Sequence, residues 1–308
     1  MSGKRGGQGK GRQRSPKVGR GAGSKGQRAQ QPRRGGPPRS GGNHSQDREA
    51  GRPRGRQRDP DDLGGDRVEG RNAVVEALRV GRRNVRELFV ADDIEESAII
   101  AEILDLASDD RVPVNRVNRR KLDDMARTES PQGVIAEARP IKPVDLELLT
   151  RPQDGRTPFL VVLDGITDPG NLGAVLRTAE VAGATGIVIP RHRAARLTPA
   201  AVKAAAGAVE HLRIALVGGL PTAISTLAEH DVWSVGLTAE APRSLWQTTA
   251  ALDGPIAIVL GAEGAGLGRL VSERCDELVS IPQFGQLDSL NVSNAAAVAC
   301  YEVVRRRV

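Results

Sequence analysis

FLVVLDGITDPGNLGAVLRTAEVAGATGIVIP, residues 159–190, is the stretch that decides the fold. It opens with Phe159–Leu163, a run of apolar residues without polar alternation, which marks a strand covered on both faces. A loop containing Pro169 and Gly170 follows, then helical spacing over Leu172–Ala182, which Gly183 stops. Gly186–Pro190 (GIVIP) is a second apolar strand. Strand, crossover helix and strand in this order make the βαβ unit of a parallel sheet.

The same rhythm continues to the C-terminus. Thr198–Glu210 reads as an Ala-rich helix, Arg213–Val217 as a strand, Thr222–His230 as a helix and Val232–Leu237 as a strand. Ile256–Leu260 (IAIVL) is another doubly buried strand, Leu267–Cys275 a helix, Leu278–Ile281 a short strand and Leu290–Arg307 a long terminal helix. Residues 159–308 are therefore expected to form an α/β domain with a parallel sheet and helices on both faces. Ligands in such sheets sit at the carboxyl ends of the strands. Towards the N-terminus, residues 66–140 alternate in the same way, with helices expected over Arg71–Val80, Ile94–Ala107 and Arg119–Ala126 and strands over Val85–Val90, Val112–Val117 and Val134–Ala138. That predicts a smaller α/β unit. Residues 141–158, rich in proline and mixed charge, read as a linker, and residues 1–65 as a tail.

The charge balance separates tail from body. Residues 1–62 carry 17 Lys and Arg against 5 Asp and Glu, while the other 246 residues carry 28 against 33. The net +7 of the whole chain is thus a basic tail on a mildly acidic body. The tail's apolar residues are Met1, Val18, Ala22, Ala29 and Ala50. So little burial cannot offset the entropy of ordering, and disorder is expected there. No stretch approaches the roughly 20 apolar residues of a membrane span. Cys275 and Cys300 lack metal-ligand spacing and cannot make a disulfide scaffold, so a cytoplasmic setting is expected. The four histidines form no HExxH or paired-ligand pattern, which argues against a metal. Six aromatic residues in the chain disfavour RNA modules that stack bases on aromatic platforms.

Three loops after buried strands carry the candidate chemistry. In Asp164–Thr178 (DGITDPGNLGAVLRT), Asn171, Gly173 and Arg177 share one loop-to-helix turn. In Leu260–Gly268 (LGAEGAGLG), the glycines leave backbone free for close approach to a ligand, with neither a Walker A loop nor G-x-G-x-x-G present. Glu263 in their midst would repel a phosphate and suits a neutral or cationic ligand. In Ile281–Asn294 (IPQFGQLDSLNVSN), Ser289, Asn291, Ser293 and Asn294 exceed what one helix cap needs. Arg191, Arg193 and Arg196 cluster after the GIVIP strand, where they form a solvated face or meet RNA phosphates.

Together NLGAVLRTAEVAG, LGAEGAGL and IPQFGQLDSLNVSNAAAVACYE resemble, in this order, the three motifs of the SpoU (TrmH-type) RNA 2′-O-ribose methyltransferases of the SPOUT superfamily. EGRNAVVEAL and PQGVIAEARP resemble the L30e-like substrate-binding domain that precedes the catalytic domain in the bacterial 23S rRNA guanosine 2′-O-methyltransferases. The resemblance implies a deep C-terminal trefoil knot, a homodimer and S-adenosylmethionine as cofactor, with Gly261, Ile281 and Leu290 contacting it. It implies methyl transfer to a guanosine ribose of 23S rRNA, free or in a precursor ribosomal particle. The alternatives are a tRNA 2′-O-methyltransferase of the same family and a non-catalytic RNA-binding or assembly factor. Arg177 matches the family's catalytic arginine, and Asn171, Glu263, Ser289 and Asn291 are the expected companions. Asp288 and Pro131 depart from the family's pattern: a small or basic residue is frequent at the first position and a histidine at the second.

If the tail tethers RNA through its Arg/Gly tracts, deleting residues 1–62 should weaken RNA binding and flatten its dependence on salt, because fewer counterions are released. Cofactor affinity should not change. A fluorescence titration across salt concentrations measures this, and an unchanged slope would refute the tether.

Overall fold

The computed structural model describes residues 63–192, 197–248, 250–287 and 289–308. Residues 1–62 of the expected tail, together with Arg193, Arg196 and Asp288, lie outside the described residues.

The N-terminal half is built from β1 (Arg67–Glu69), α1 (Arg71–Val80), β2 (Val85–Ala91), α2 (Ala98–Asp109), β3 (Val114–Val117), α3 (Arg119–Met125) and β4 (Val134–Ala138). The strands form a mixed sheet in the order β1-β4-β2-β3, with β4 antiparallel to both of its neighbours and β2 parallel to β3. Strand β1 escapes apolar periodicity, since it is only three residues long and two of them are charged. Leu63 already pairs with Ile141 and is buried, so the packed body begins before the expected boundary at residue 66.

Residues 141–158 are more than a linker. Val144 bridges to Ala215, α4 (Leu146–Leu149) follows, and Leu149 is fully buried against Gly186. The prolines punctuate this segment, but Val144, Leu146 and Leu149 give it enough apolar surface to pack.

The larger sheet is six-stranded and wholly parallel. Its elements run β5 (Phe159–Leu163), α5 (Pro169–Val181), β6 (Gly186–Pro190), α6 (Pro199–Ala204), β7 (Ile214–Val217), α7 (Leu220–Glu229), β8 (Trp233–Leu237), β9 (Ile256–Leu260), α8 (Arg269–Arg274), β10 (Glu277–Val279) and α9 (Val292–Arg307). The strand order is β10-β8-β9-β5-β6-β7. The chain builds outward from β5 through β6 to β7, then crosses to the far side for β8 and returns β9 between β8 and β5. The order therefore reverses between β5 and β9, the crevice where open α/β sheets bind ligands. Alternation explains the uninterrupted FLVVL. Phe159, Val161 and Leu163 face Leu172, Leu176, Ala296 and Cys300 on one side, while Leu160 and Val162 face Ile224, Leu227 and Val271 on the other. The first of these two cores is continuous with that of the small sheet, reaching Leu88 and Ile135.

Burial pushes the thiols of Cys275 and Cys300 up to about 12, as expected of cysteines packed among apolar groups. Arg307 fixes the end of α9. It donates to the carbonyls of Leu252, Thr157, Pro158 and Gly254 at 2.7–3.2 Å and lies 5.4 Å from the Phe159 ring centroid. The last turn of α9 is thereby tied to the start of β5.

The expected helix over Thr198–Glu210 is broken. It ends at Ala204 and resumes as a 3₁₀ turn over Ala208–Glu210, with Ala206 and Gly207 at φ of 51° and 90°. The cause is the close approach of α1: a Cβ on Gly207 would lie 2.6 Å from that of Glu76. The break sets Glu210 beside Arg83, both side chains fully buried, with Nε 3.3 Å from Oε1. Neither group has a hydrogen-bond partner among the described residues. Burial pushes Glu210 up and Arg83 down, and the charge of each opposes the shift of the other. His211 Nε2 lies 2.8 Å from Glu76 Oε2, and Arg82 donates to the Leu212 carbonyl, so residues 207–212 dock onto α1 and the turn after it.

Removing one partner of this buried pair leaves an uncompensated charge. Glu210→Leu or Arg83→Met should each cost roughly 3–5 kcal/mol, whereas the joint change Arg83→Met/Glu210→Leu should be close to neutral. A double-mutant cycle by chemical denaturation measures this. Additive losses would show that the two groups do not interact.

Candidate active site

The pairing of β5 with β9, from Phe159↔Ile256 to Leu163↔Leu260, sets two chain exits side by side. From β5 the backbone N–H of Asp164 still donates to the Leu260 carbonyl, at 2.7 Å, and its carboxylate then accepts from the Gly268 N–H at 2.7 Å. Asp164 thus staples the glycine-rich loop to the neighbouring strand. Inside that loop Ala262 and Gly266 exchange both backbone hydrogen bonds, at 3.0 and 2.8 Å. Gly261 sits under this turn with no room for a side chain, since a Cβ there would lie 2.2 Å from the Gly266 carbonyl carbon.

Asp168 starts α5. Its carboxylate caps the helix by accepting from the Asn171 N–H at 2.6 Å, and Pro169 occupies the first turn, where its missing N–H costs nothing. The helix begins at Pro169 rather than at Leu172, so Asn171 lies within its first turn. A Cβ on Gly173 would lie 2.4 Å from that of Ala204, so α5 presses directly on α6.

Three of the expected residues meet. Asn171 Nδ2 donates to Glu263 Oε2 at 3.1 Å, and Asn291 Nδ2 donates to Asn171 Oδ1 at 2.9 Å. Asn291 Oδ1 accepts from the backbone N and the Oγ of Ser293, at 2.8 and 2.6 Å, and so caps α9. The chain has one polarity. A carboxylate only accepts and a backbone N–H only donates, so both amides are oriented from the two ends. The result is a rigid polar line across the mouths of β5 and β9 and the start of α9.

Other expected residues do not join it. Arg177 is six residues past Asn171, about 120° round the helix and about 9 Å along it. It is exposed and has no polar partner among the described residues. Ser289 is exposed and makes no hydrogen bond among the described residues. Arg191 is exposed at the end of β6, its backbone N–H bonded to the Val217 carbonyl. Asp164 and Asp168 were not singled out from sequence. An aspartate before Pro-Gly, and one directly after an apolar strand, are the capping and strand-end signals that find them.

Beyond β8 and β10 a cavity of about 460 Å³ is lined by Ala239, Ser280, Ile281, Pro282, Gln283 and Leu287, among others. Of the three residues expected at a cofactor, Ile281 lines it. Gly261 and Leu290, the latter 41% exposed, do not. The described lining mixes Gln amides and the Ser280 hydroxyl with aliphatic side chains and holds no Lys or Arg, which suits a neutral, polar-edged group such as an adenosine and offers no counter-charge to a phosphate. Among the described residues no three His, Cys, Asp or Glu are grouped to hold a metal ion, and no helix is long and apolar enough to cross a membrane.

Comparison with known proteins places these features in context. Residues 158–301 match the model of the SpoU rRNA Methylase family, and residues 67–144 match that of the RNA 2′-O ribose methyltransferase substrate binding domain. The 23S rRNA (guanosine-2′-O-)-methyltransferase RlmB of Photobacterium profundum is 39% identical over 80% of this chain and 99% of its own length. RlmB of Yersinia pestis is 41% identical over 78% and 97%. The crystal structure of the SpoU methyltransferase AviRb from Streptomyces viridochromogenes, in complex with the cofactor AdoMet, superposes with a TM-score of 0.65 at 26% identity over 78% of this chain and 90% of that one.

The polarity of the Asn171 line is open to test. Asn171→Asp places a second carboxylate against Glu263 and removes the donor. At this partly exposed site it should cost about 1 kcal/mol or less at neutral pH. The new pair would share a proton in the folded state, raising its folded pKa, so the deficit should shrink as the pH falls towards 5. Urea denaturation at two pH values reads it, and a pH-independent deficit would contradict the arrangement.

Proposed function

The chain belongs to the SpoU rRNA methylase family, and from that premise we propose that it transfers a methyl group from S-adenosylmethionine to the 2′-hydroxyl of a guanosine ribose in 23S rRNA. The reaction class and the cofactor follow from the family. The choice of substrate is carried by one observation, the match along nearly the whole length of two 23S rRNA guanosine 2′-O-methyltransferases.

S-adenosylmethionine, when bound, supplies an electrophilic methyl on its sulfonium. Ile281 and its neighbours in the cavity after β10 would hold the adenosine, and the family's pattern adds Gly261 and Leu290, outside that cavity, as further cofactor contacts. The work left to the protein is to place a ribose hydroxyl in line and to lower the cost of its deprotonation. Arg177 stays protonated and is a poor base, so its role is to stabilise the developing alkoxide. The Glu263–Asn171–Asn291 line offers fixed amides to the ribose, with Glu263 orienting Asn171, and Ser289 completes the positioning.

The L30e-like unit over residues 66–140 holds the RNA, and the domain over 159–308 performs the chemistry. The C-terminal chain forms the family's trefoil knot. A second copy covers Phe284, Leu287 and Leu290, which are 98%, 80% and 41% exposed in the single chain. The homodimer works in the cytoplasm on 23S rRNA or a precursor ribosomal particle, and Arg191, Arg193 and Arg196 contact its phosphates.

Arg177→Ala should reduce methyl transfer by about two orders of magnitude or more while leaving cofactor affinity unchanged. Transfer of a labelled methyl group to 23S rRNA, with calorimetry for the cofactor, measures both. Near-full activity would remove Arg177 from the mechanism, and labelling confined to tRNA would replace the substrate.

A further inference from the structure

A second cavity lies on the N-terminal half and shares no residue with the site above. It is an open hollow of about 400 Å³ lined by Arg71, Asn72, Ile99, Arg119 and Gln132, where the starts of α1, α2 and α3 meet the turn before β4.

Its two arginines are held by one edge and open at the other. Arg71 Nε donates to the Gln132 carbonyl at 3.2 Å, and its two terminal nitrogens have no partner among the described residues. Arg119 Nε donates to both oxygens of Asp93, at 3.0 and 3.3 Å, and Nη2 lies 2.9 Å from Asp93 Oδ1. Nη1 is left without a partner among the described residues. A guanidinium tethered in this way keeps its outer donors aimed and loses little freedom when an anion arrives.

Gln132 is fixed too. Its backbone is left-handed at φ 58°, a conformation that residues with a side chain seldom adopt, and its Oε1 accepts from the Arg71 N–H at 3.0 Å. Its amide nitrogen therefore presents both donors elsewhere. Exposed Asn72 adds a second amide, and half-buried Ile99 supplies an apolar wall.

Guanidinium donors suit a phosphate, paired amides suit the hydrogen-bonding edge of a base, and an aliphatic wall suits its face. The volume is at the lower end of small-ligand sites, enough for one nucleotide and far too small for a helix. Unpaired bases are also the part of RNA whose edges can be read. We propose that this cavity binds a single unstacked nucleotide of the RNA substrate, away from the nucleotide that is methylated. The proposal rests on the RNA reading above.

The test uses the full chain and a fluorescein-labelled single-stranded RNA of mixed sequence, followed by anisotropy across salt concentrations. Arg71→Gln/Arg119→Gln should weaken binding about tenfold and reduce the salt slope by about 1.4, as expected for two lost phosphate contacts to a single strand. Arg86→Gln/Arg120→Gln removes the same charge from exposed positions outside the cavity and should change affinity less than twofold. Ile99→Trp, which fills the cavity without altering charge, should weaken binding with the slope preserved. Equal losses in the two charge variants, or wild-type binding by Ile99→Trp and the cavity double variant, would overturn the proposal. Calorimetry with S-adenosylmethionine and methyl transfer to 23S rRNA are run on the wild type in parallel. Their failure with cavity-dependent RNA binding intact sinks the methylation reading alone, and their success with cavity-independent binding sinks the cavity alone.

Discussion

Asn171 and Glu263 are 92 residues apart in the chain and joined at 3.1 Å because β5 and β9 pair in parallel. Parallel pairing makes both strands end at the same edge, so the loops that follow them have to share space. Everything polar in the site is downstream of that register. Asp164 can reach Gly268 because Leu163 lies opposite Leu260, and a slip of one residue would turn the alternating faces of FLVVL and IAIVL to the wrong cores. The site's precision is therefore maintained by apolar packing on both faces of two strands rather than by its own few hydrogen bonds, each of which contributes only about 1 kcal/mol net.

The doubly buried strands were legible from sequence because burial on both faces removes polar alternation, and no soluble helix of five residues needs that. The parallel sheet and the three motif loops followed. Three things were not legible. Strand β1 is too short and too charged for a periodic signal. The break at Ala206–Gly207 is imposed by Glu76 from a distant helix, and nothing in an Ala-rich run announces it. The separation of Arg177 from Asn171 depended on where α5 starts: a helix beginning at Pro169 makes both residues helical and puts them on different faces, whereas the expected start at Leu172 kept Asn171 in the loop with Arg177 within two turns of it. Asn171, Glu263 and Asn291 meet because β5 and β9 end side by side and the chain after β10 returns to start α9 beside them.

The electrostatic layout fits an acidic body that handles a polyanion. Glu263 is engaged by the Asn171 amide, while the exposed Arg177 has no polar partner among the described residues. Across the body, cations that face outward with unengaged donors are worth more for RNA than the net charge, because a field summed over −5 is repulsive and screened within about 8 Å at physiological salt.

The continuity of the core has a mechanical consequence. Helix α1 carries Arg71 at its first position and, further along, Glu76 against Gly207 and His211. The segment it presses on follows α6, and α6 packs against Gly173 in α5, two residues from Asn171. Lys203 of α6 also donates to the Ser130 carbonyl, next to the turn that holds Gln132. From the cavity on the small sheet to the polar line on the large one, every step is close-packed side chain or backbone, with the buried Arg83–Glu210 pair in the same interface. Interiors packed to this density transmit position rather than absorb it. A nucleotide held at Arg71 and Arg119 would then set, by a fixed span, which ribose along the RNA can reach Arg177, and substrate choice would be a matter of geometry between two sites rather than of contacts at the methylated base.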